Sequence, residues 1–281
     1  MKTVPSKKTA SNQIFSLNCN VVENIPINQR YKYIRLSADK DIAPITKPGQ
    51  FYMLKCPDTK EFHPFLMRPM SVYGVGPESN TIEFLYNVFG VGTKALSTLM
   101  PGNQIEIFGP LGSTFTLLPS FKRVLVVVRG VGLATMAPLI QEAHRSGIEL
   151  SIVMSARTPD DLMKEQFLRG IENADVHCVF DSDNSSSMPS MDKLIRQLLS
   201  SKHHDMVYTC GSKRVLTLLQ QVLKVFPDTQ GEVALEQKMA CGMGGCLSCV
   251  RPIMTDEKRE YLRVCREGPV FPIANVVLEA F

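Results

Sequence analysis

Residues 124–135 read Val124-Leu125-Val126-Val127-Val128-Arg129-Gly130-Val131-Gly132-Leu133-Ala134-Thr135. The first five are apolar without alternation, which suits a strand covered on both faces within a parallel sheet. A glycine-bearing turn follows, then a helix-forming stretch from Ala134 to His144. Strand, turn and helix in that order form the unit from which doubly wound sheets are built. The unit recurs downstream. Strands are expected over 148–154, 176–180 and 206–209, and helices over 159–169, 191–199 and 212–225. Upstream the text changes character. Short β-rich runs such as Tyr31–Leu36, Phe51–Leu54 and the alternating stretch from Thr81 to Phe89 are punctuated by Gly and Pro. That pattern predicts an antiparallel barrel. The expected class is therefore α/β plus all-β: a polar, mobile leader over 1–13, an antiparallel β-barrel over 14–118, a doubly wound α/β domain over 119–232 and a small C-terminal region over 233–281.

Composition bounds the function. Of 281 residues, 44% are hydrophobic and 21% charged, which excludes a disordered or coiled-coil chain. Lys and Arg exceed Asp and Glu by only 31 to 27, with no basic cluster to argue for nucleic acid. No apolar run approaches the roughly 18 residues of a membrane-spanning helix. No apolar core follows Lys2, Lys7 and Lys8, so a secretory signal is not expected and a cytoplasmic location is.

Four of the eight cysteines crowd into one segment, Cys241-Gly-Met-Gly-Gly-Cys246-Leu-Ser-Cys249 and then Cys265, a C-x4-C-x2-C-x15-C spacing. Soft ligands clustered in this way point to a metal centre. The first intervals follow the plant-type iron–sulfur spacing, whereas structural zinc favours paired C-x2-4-C knuckles. Gly242, Gly244 and Gly245 suit a loop wrapped closely around inorganic sulfide. A [2Fe–2S] cluster is the favoured reading, with zinc and unliganded thiols as its alternatives. Cys19, Cys56 and Cys178 stand in apolar or strand-like contexts and read as buried small residues. His63, His144, His177, His203 and His204 form no constellation and read as solvated or structural.

Two further motifs precede the α/β text. Arg68-Pro69-Met70-Ser71 places a fixed cationic fork, suited to a pyrophosphate, beside a small hydroxyl. Gly92-Thr93 opens an expected helix whose start suits a phosphate. Gly130 and Gly132 suit backbone approach to a dinucleotide. The alternatives are a surface arginine in a turn, an ordinary capped helix and a plain strand–helix turn.

These motifs, Cys210-Gly211 at the end of the last parallel strand, and the terminal cysteines occur in one order. In that order the chain resembles the ferredoxin–NADP reductase superfamily, and more narrowly the electron-transfer subunits of class B dihydroorotate dehydrogenases, over about residues 16–272. The resemblance implies FAD held by Arg68, Pro69, Met70, Ser71, Leu85, Tyr86, Asn87, Gly92 and Thr93. It implies NAD(P)H near Gly130, Gly132, Arg157, Cys210 and Gly211, and a [2Fe–2S] cluster on Cys241, Cys246, Cys249 and Cys265. For Cys210 a buried strand thiol is the alternative, and for Arg157 a solvated loop residue. The resemblance further implies a partner, a flavin-containing dehydrogenase, in a hetero-oligomer of pyrimidine biosynthesis. A stand-alone reductase of a diffusible acceptor and a zinc-stabilised interaction module are the competing functions. Two positions depart from the family pattern. Arg129 stands where it has glycine and Thr135 where proline is frequent. Arg129 either binds a phosphate or blocks the usual cofactor path.

Overall fold

The computed structural model describes residues 13–42, 44–76, 80–162, 171, 174–256 and 258–278. The expected leader, apart from Gln13, and the expected helix over 159–169, apart from a 3-10 turn at Pro159–Asp161 and the extended Leu162 that ends it, lie outside the described residues.

The N-terminal half is a seven-stranded antiparallel sheet curled into a half-barrel, in the order β4-β3-β7-β1-β2-β6-β5. Its strands are β1 (Phe15–Pro26), β2 (Tyr31–Ser37), β3 (Phe51–Leu54), β4 (Arg68–Ser71), β5 (Gly74–Gly76), β6 (Thr81–Asn87) and β7 (Gln104–Leu111). In β1, Leu17, Cys19 and Val21 point into the core while their neighbours face water, as strand periodicity requires. A short helix, α1 (Val91–Leu96), follows β6.

The second half is a six-stranded sheet in the order β10-β9-β8-β11-β12-β15. Strands β8 (Arg123–Arg129), β9 (Glu149–Ala156), β10 (Asp175–Phe180), β11 (Met206–Cys210) and β12 (Gln230–Ala234) are parallel. The described helices are α2 (Leu133–Arg145), α3 (Met188–Ser201) and α4 (Lys213–Leu223). The unbroken apolar run in β8 has a direct cause. Val124, Val126 and Val128 pack with α2 on one face, and Leu125 and Val127 pack with α3 and α4 on the other. Full burial of each such side chain contributes on the order of 1.5–3 kcal/mol.

The C-terminal region is less separate than the sequence suggests. Strand β12 runs across the expected boundary at 232/233, and β15 (Val270–Pro272) returns to pair antiparallel with it. Only the hairpin β13 (Val250–Thr255) and β14 (Lys258–Arg263) forms a sheet of its own. Cys19 and Cys56 are buried, whereas Cys178 is half-buried. Of the histidines, His204 is buried, with Nε2 at 3.0 Å from Ser151 Oγ and Nδ1 at 2.9 Å from the Lys202 carbonyl, a structural placement. Among the described residues no helix is long and apolar enough to cross a membrane.

The half-barrel is pinned to the parallel sheet through the connection between β7 and β8. Buried Glu232 accepts hydrogen bonds from the Thr116 N–H and hydroxyl, both at 2.8 Å. The Tyr208 hydroxyl donates to the Thr116 carbonyl. Replacing Glu232 with Ala would strand both Thr116 donors. We expect a loss of about 1–3 kcal/mol, read as a lower urea unfolding midpoint.

Candidate functional site

Arg68 opens β4, opposite Leu54 of β3. Its Nη1 donates to the Leu66 carbonyl, and the guanidinium lies over the start of α1. Gly92 makes that approach possible, because a Cβ there would sit 2.6 Å from Arg68 Cζ. The Gly-Thr pair therefore admits the arginine, and Thr93 anchors the turn. Its Oγ1 accepts the N–H groups of Phe89 at 2.9 Å and Gly90 at 3.1 Å.

Beyond Arg68 the strand forms one wall of a cavity of about 250 Å³. Pro69, Met70, Ser71, Leu85, Tyr86, Asn87, Thr93 and Cys210 all border it. The Tyr86 hydroxyl is turned away into the half-barrel, donating to Asn24 Oδ1 at 2.8 Å. Arg68, Gly92, Gly130, Gly132, Arg157 and Gly211 lie outside the wall. The opposite wall includes residues that no sequence reading assigned to the site: Val131, Ala134 and Thr135 from the glycine turn and α2, then Glu236, Gln237 and Met239 after β12. The turn after β8 and the segment after β12 meet there because both leave the same end of the parallel sheet.

A chain of hydrogen bonds crosses the cavity. The Thr135 hydroxyl donates to Ser71 Oγ at 2.9 Å, and the Cys210 thiol donates to Thr135 Oγ1 at 3.4 Å and lies 3.8 Å from Glu236 Oε1. The departure at Thr135 thus links the half-barrel to the parallel sheet. Cys210 is both a buried strand thiol and a residue of the cavity wall. Burial, then the charge of Glu236, pushes its thiol well above the ordinary value, so it stays neutral. Gly132 abuts the Cys210 carbonyl, and Gly211 follows beside the Glu236 carboxyl. Glu236 borders the cavity with its side chain exposed, and the protein around its carboxyl still desolvates the charge and raises it above the usual range.

The terminal cysteines assemble in two pairs. Cys241 Sγ accepts the N–H groups of Met243 and Cys246 at 3.4 Å, and the two thiols of Cys241 and Cys246 hydrogen-bond. Cys249 Sγ accepts the Cys265 N–H at 3.4 Å, and those two thiols also hydrogen-bond. Cys246 is exposed, and the Ser248 hydroxyl, backbone N–H groups and Cys241 hold its thiol down to about 6. Cys265 is buried, and burial followed by Cys249 pushes it up to about 12. Among the described residues no three His, Cys, Asp or Glu side chains are grouped to hold one metal ion. A single tetrahedral zinc needs four convergent ligands. Two thiols offered to each of two irons is the donor set of a [2Fe–2S] cluster, and four soft thiols in two pairs fit it. The loop is seated on the half-barrel: Gly242 has φ +71°, and a Cβ there would meet Met53 Cγ at 2.7 Å.

The remaining predicted residues stand at the ends of β8–β10. Gly130–Gly132 form a 3-10 turn leading into α2. Arg129 makes a bidentate ion pair with Asp181, at 2.6 and 3.1 Å. Arg157 is exposed, and its carbonyl accepts the Ser182 N–H at 3.0 Å.

A curled antiparallel sheet followed by a parallel sheet and a cysteine loop is the architecture of ferredoxin reductase-like electron-transfer oxidoreductases. The chain matches the structure of an NADH-dependent reduced ferredoxin–NADP oxidoreductase studied for flavin-based electron bifurcation, with a TM-score of 0.76 and 22% identity over 93% of this chain and 90% of that one. It also matches the ferredoxin–NADP+ reductase of Plasmodium falciparum, with a TM-score of 0.61 and 13% identity over 78% of this chain and 96% of that one. Residues 236–277 match the iron–sulfur cluster binding domain of dihydroorotate dehydrogenase B. The chain is 33% identical over 244 residues to the electron transfer subunit of dihydroorotate dehydrogenase B (NAD(+)) from Desulforamulus reducens, covering 85% of this chain and 90% of the relative. It is 33% identical over 233 residues to the subunit of that name from Listeria innocua, covering 82% and 87%. The chain belongs to the family of dihydroorotate dehydrogenase B electron transfer subunits.

The raised carboxyl of Glu236 makes a stability prediction. An acid that binds its proton more tightly folded than unfolded opposes folding once the pH exceeds its unfolded value of about 4.3. Glu236→Gln should therefore raise the melting temperature at pH 8, and the gain should shrink as the pH falls toward about 4.3 and vanish below it.

Proposed function

We propose that this chain relays electrons between a nicotinamide dinucleotide and a flavin-containing dehydrogenase partner that acts on dihydroorotate. The flavin end of FAD would occupy the cavity beside β4, with its phosphates toward Arg68 outside that wall, and a [2Fe–2S] cluster would be held by the four terminal cysteines. The observation that carries this reading is continuity. Met239 lines the cavity and Cys241 lies two residues on, in a loop packed against Met53 of β3, the strand beside β4. The flavin seat and the cluster loop thus share a wall. FAD supplies the conversion between a hydride's electron pair and the single electrons that an iron–sulfur cluster carries.

The chain's own residues have matching roles. Arg68 is the cation for the flavin's phosphates, held in place over Gly92. Ser71, oriented by Thr135, is the hydroxyl offered to the cavity. Cys210 presents a neutral thiol where the dinucleotide's reacting end would arrive, so no thiolate competes as a nucleophile there. Cys249 and Cys265 bury one side of the cluster loop, while Cys246 faces outward between exposed Met243 and Leu247. Leu247 has φ +60°, an uncommon conformation for leucine, in this outward-facing stretch. An exposed apolar rim around the outward thiol suits docking of the partner subunit. Eight unbridged cysteines agree with a cytoplasmic setting.

The test is spectroscopic, on the chain purified anoxically with its co-isolated partner. Cys246→Ser should lose the cluster signal in electron paramagnetic resonance and at least about tenfold of electron delivery to the partner, while NADH still bleaches the flavin band. Undiminished delivery would break the relay order. Gly92→Ala should displace Arg68 and lower the flavin-to-protein ratio after gel filtration, with the iron content unchanged.

A further inference from the structure

The strand order β10-β9-β8-β11-β12 reverses between β8 and β11, and ligands of such sheets bind outside the carboxyl ends at that reversal. The cavity assigned to the flavin takes the side of β11 and β12, where Cys210 and Glu236 line it. A dinucleotide whose nicotinamide reaches that cavity must lay its adenosine diphosphate half over the Gly130–Gly132 turn and the ends of β9 and β10.

An ionic cluster already stands there. Arg129 ends β8. Its Nη1 donates to Ser155 Oγ at 2.7 Å and to Asp181 Oδ1 at 3.1 Å, and its Nη2 donates to Asp181 Oδ2 at 2.6 Å. The pair spans from β8 to the residue after β10, crossing β9 at Ser155. The Ser186 hydroxyl also donates to Asp181. Arg129, then Ser186, hold the Asp181 carboxyl down to about 2, so it is charged at any physiological pH. On the other flank Arg30, from the hairpin between β1 and β2, approaches Asp161 at 4.0 Å. The cavity at the ends of β8 and β9, bordered by Val128, Gly130, Ser155, Ala156, Asp161 and Leu162 and not by Arg129 or Asp181 themselves, is about 10 Å³. That is scarcely room for one water, whereas ligand pockets run to about 300–1,000 Å³.

We infer that Arg129 and Asp181 form a latch over the adenosine half of the dinucleotide seat, closed by their own ion pair and opened when the dinucleotide enters. The inference rests on the dinucleotide reading proposed above. Arg129 is then a positioning residue that sets affinity: the phosphates compete with Asp181 for its guanidinium, and the strand ends give way as the pair parts. Both partners are part-exposed, at 29% and 42%, so a diphosphate arriving from solvent can reach the guanidinium and compete with Asp181 for it.

The test uses the full chain with its flavin and cluster, and ADP-ribose as a probe of the adenosine half that carries no nicotinamide. Its binding is measured by calorimetry for the unaltered chain, Arg129→Gly and Asp181→Asn. The latch requires Asp181→Asn, which frees Arg129 for the phosphates, to bind ADP-ribose about three- to tenfold more tightly than the unaltered chain, the scale of one part-exposed charged pair and its hydrogen bonds, and Arg129→Gly to bind less tightly than Asp181→Asn. Binding gained where the unaltered chain shows none supports it equally. No gain in Asp181→Asn, with weaker binding by Arg129→Gly, would make Arg129 a plain phosphate ligand and overturn the latch alone. Unchanged affinity in both variants would also overturn it. No binding of ADP-ribose or NADH by any of the three would overturn the dinucleotide reading and the latch together. Flavin absorbance and melting temperature verify folding, and Arg129→Ala replaces the glycine variant if that one loses flavin.

Discussion

Burial of two cysteines in a core shared by three parts of the chain is the constraint on which the arrangement depends. Cys249 and Cys265 belong to the same apolar cluster as Phe51, Met53 and Leu111 of the half-barrel and Val207, Val233 and Phe271 of the parallel sheet. Thiols packed among such side chains cannot drift toward solvent without opening a cavity that costs on the order of a few kcal/mol per large residue removed. The cluster loop is thereby fixed against β3, and β3 carries β4 and its Arg68–Ser71 motif. Distance governs electron transfer between two centres, and here one packed core sets it.

The two ends of the proposed dinucleotide crevice differ in electrostatic character. On the flavin side the groups are neutral or drawn toward neutrality: a thiol kept protonated by burial, two hydroxyls that bond to one another, and a carboxyl raised by desolvation. On the adenosine side, Arg129 and Asp181 are fully charged and paired, with Arg30 and Asp161 opposite. Hydride exchange is served by a site with few competing ionic groups. Recognition of an anionic diphosphate is served by mobile surface charge, because a part-exposed ion pair can exchange partners at modest cost.

Two residues that break the family pattern became connections. Thr135 adds a hydroxyl bridge between Ser71 and Cys210, joining the two halves across the cavity. Arg129 ties the ends of three strands together. Both stand at the turn into α2, where the half-barrel and parallel sheet meet. The Thr135 hydroxyl reaches across that junction to Ser71, whereas Arg129 reaches along the strand ends of the parallel sheet.

Local patterns determined much about this protein. The unbroken Val124–Val128 run dictated a strand covered on both faces, because no alternation was available to leave one face wet. The C-x4-C-x2-C spacing dictated a soft-ligand loop, and Arg68-Pro-Met-Ser71 a cationic fork suited to phosphate beside a small hydroxyl. These were legible because each depends on residues near one another along the chain. Tertiary structure alone decided that Gly92 serves Arg68, that Tyr86 turns its hydroxyl inward to Asn24, and that β15 returns to complete the parallel sheet. It alone brought Thr135, Glu236 and Met239 to the cavity and set Asp181 against Arg129. Those contacts join residues far apart in sequence, and their energies depend on packing and on the exclusion of water, which no local spacing encodes.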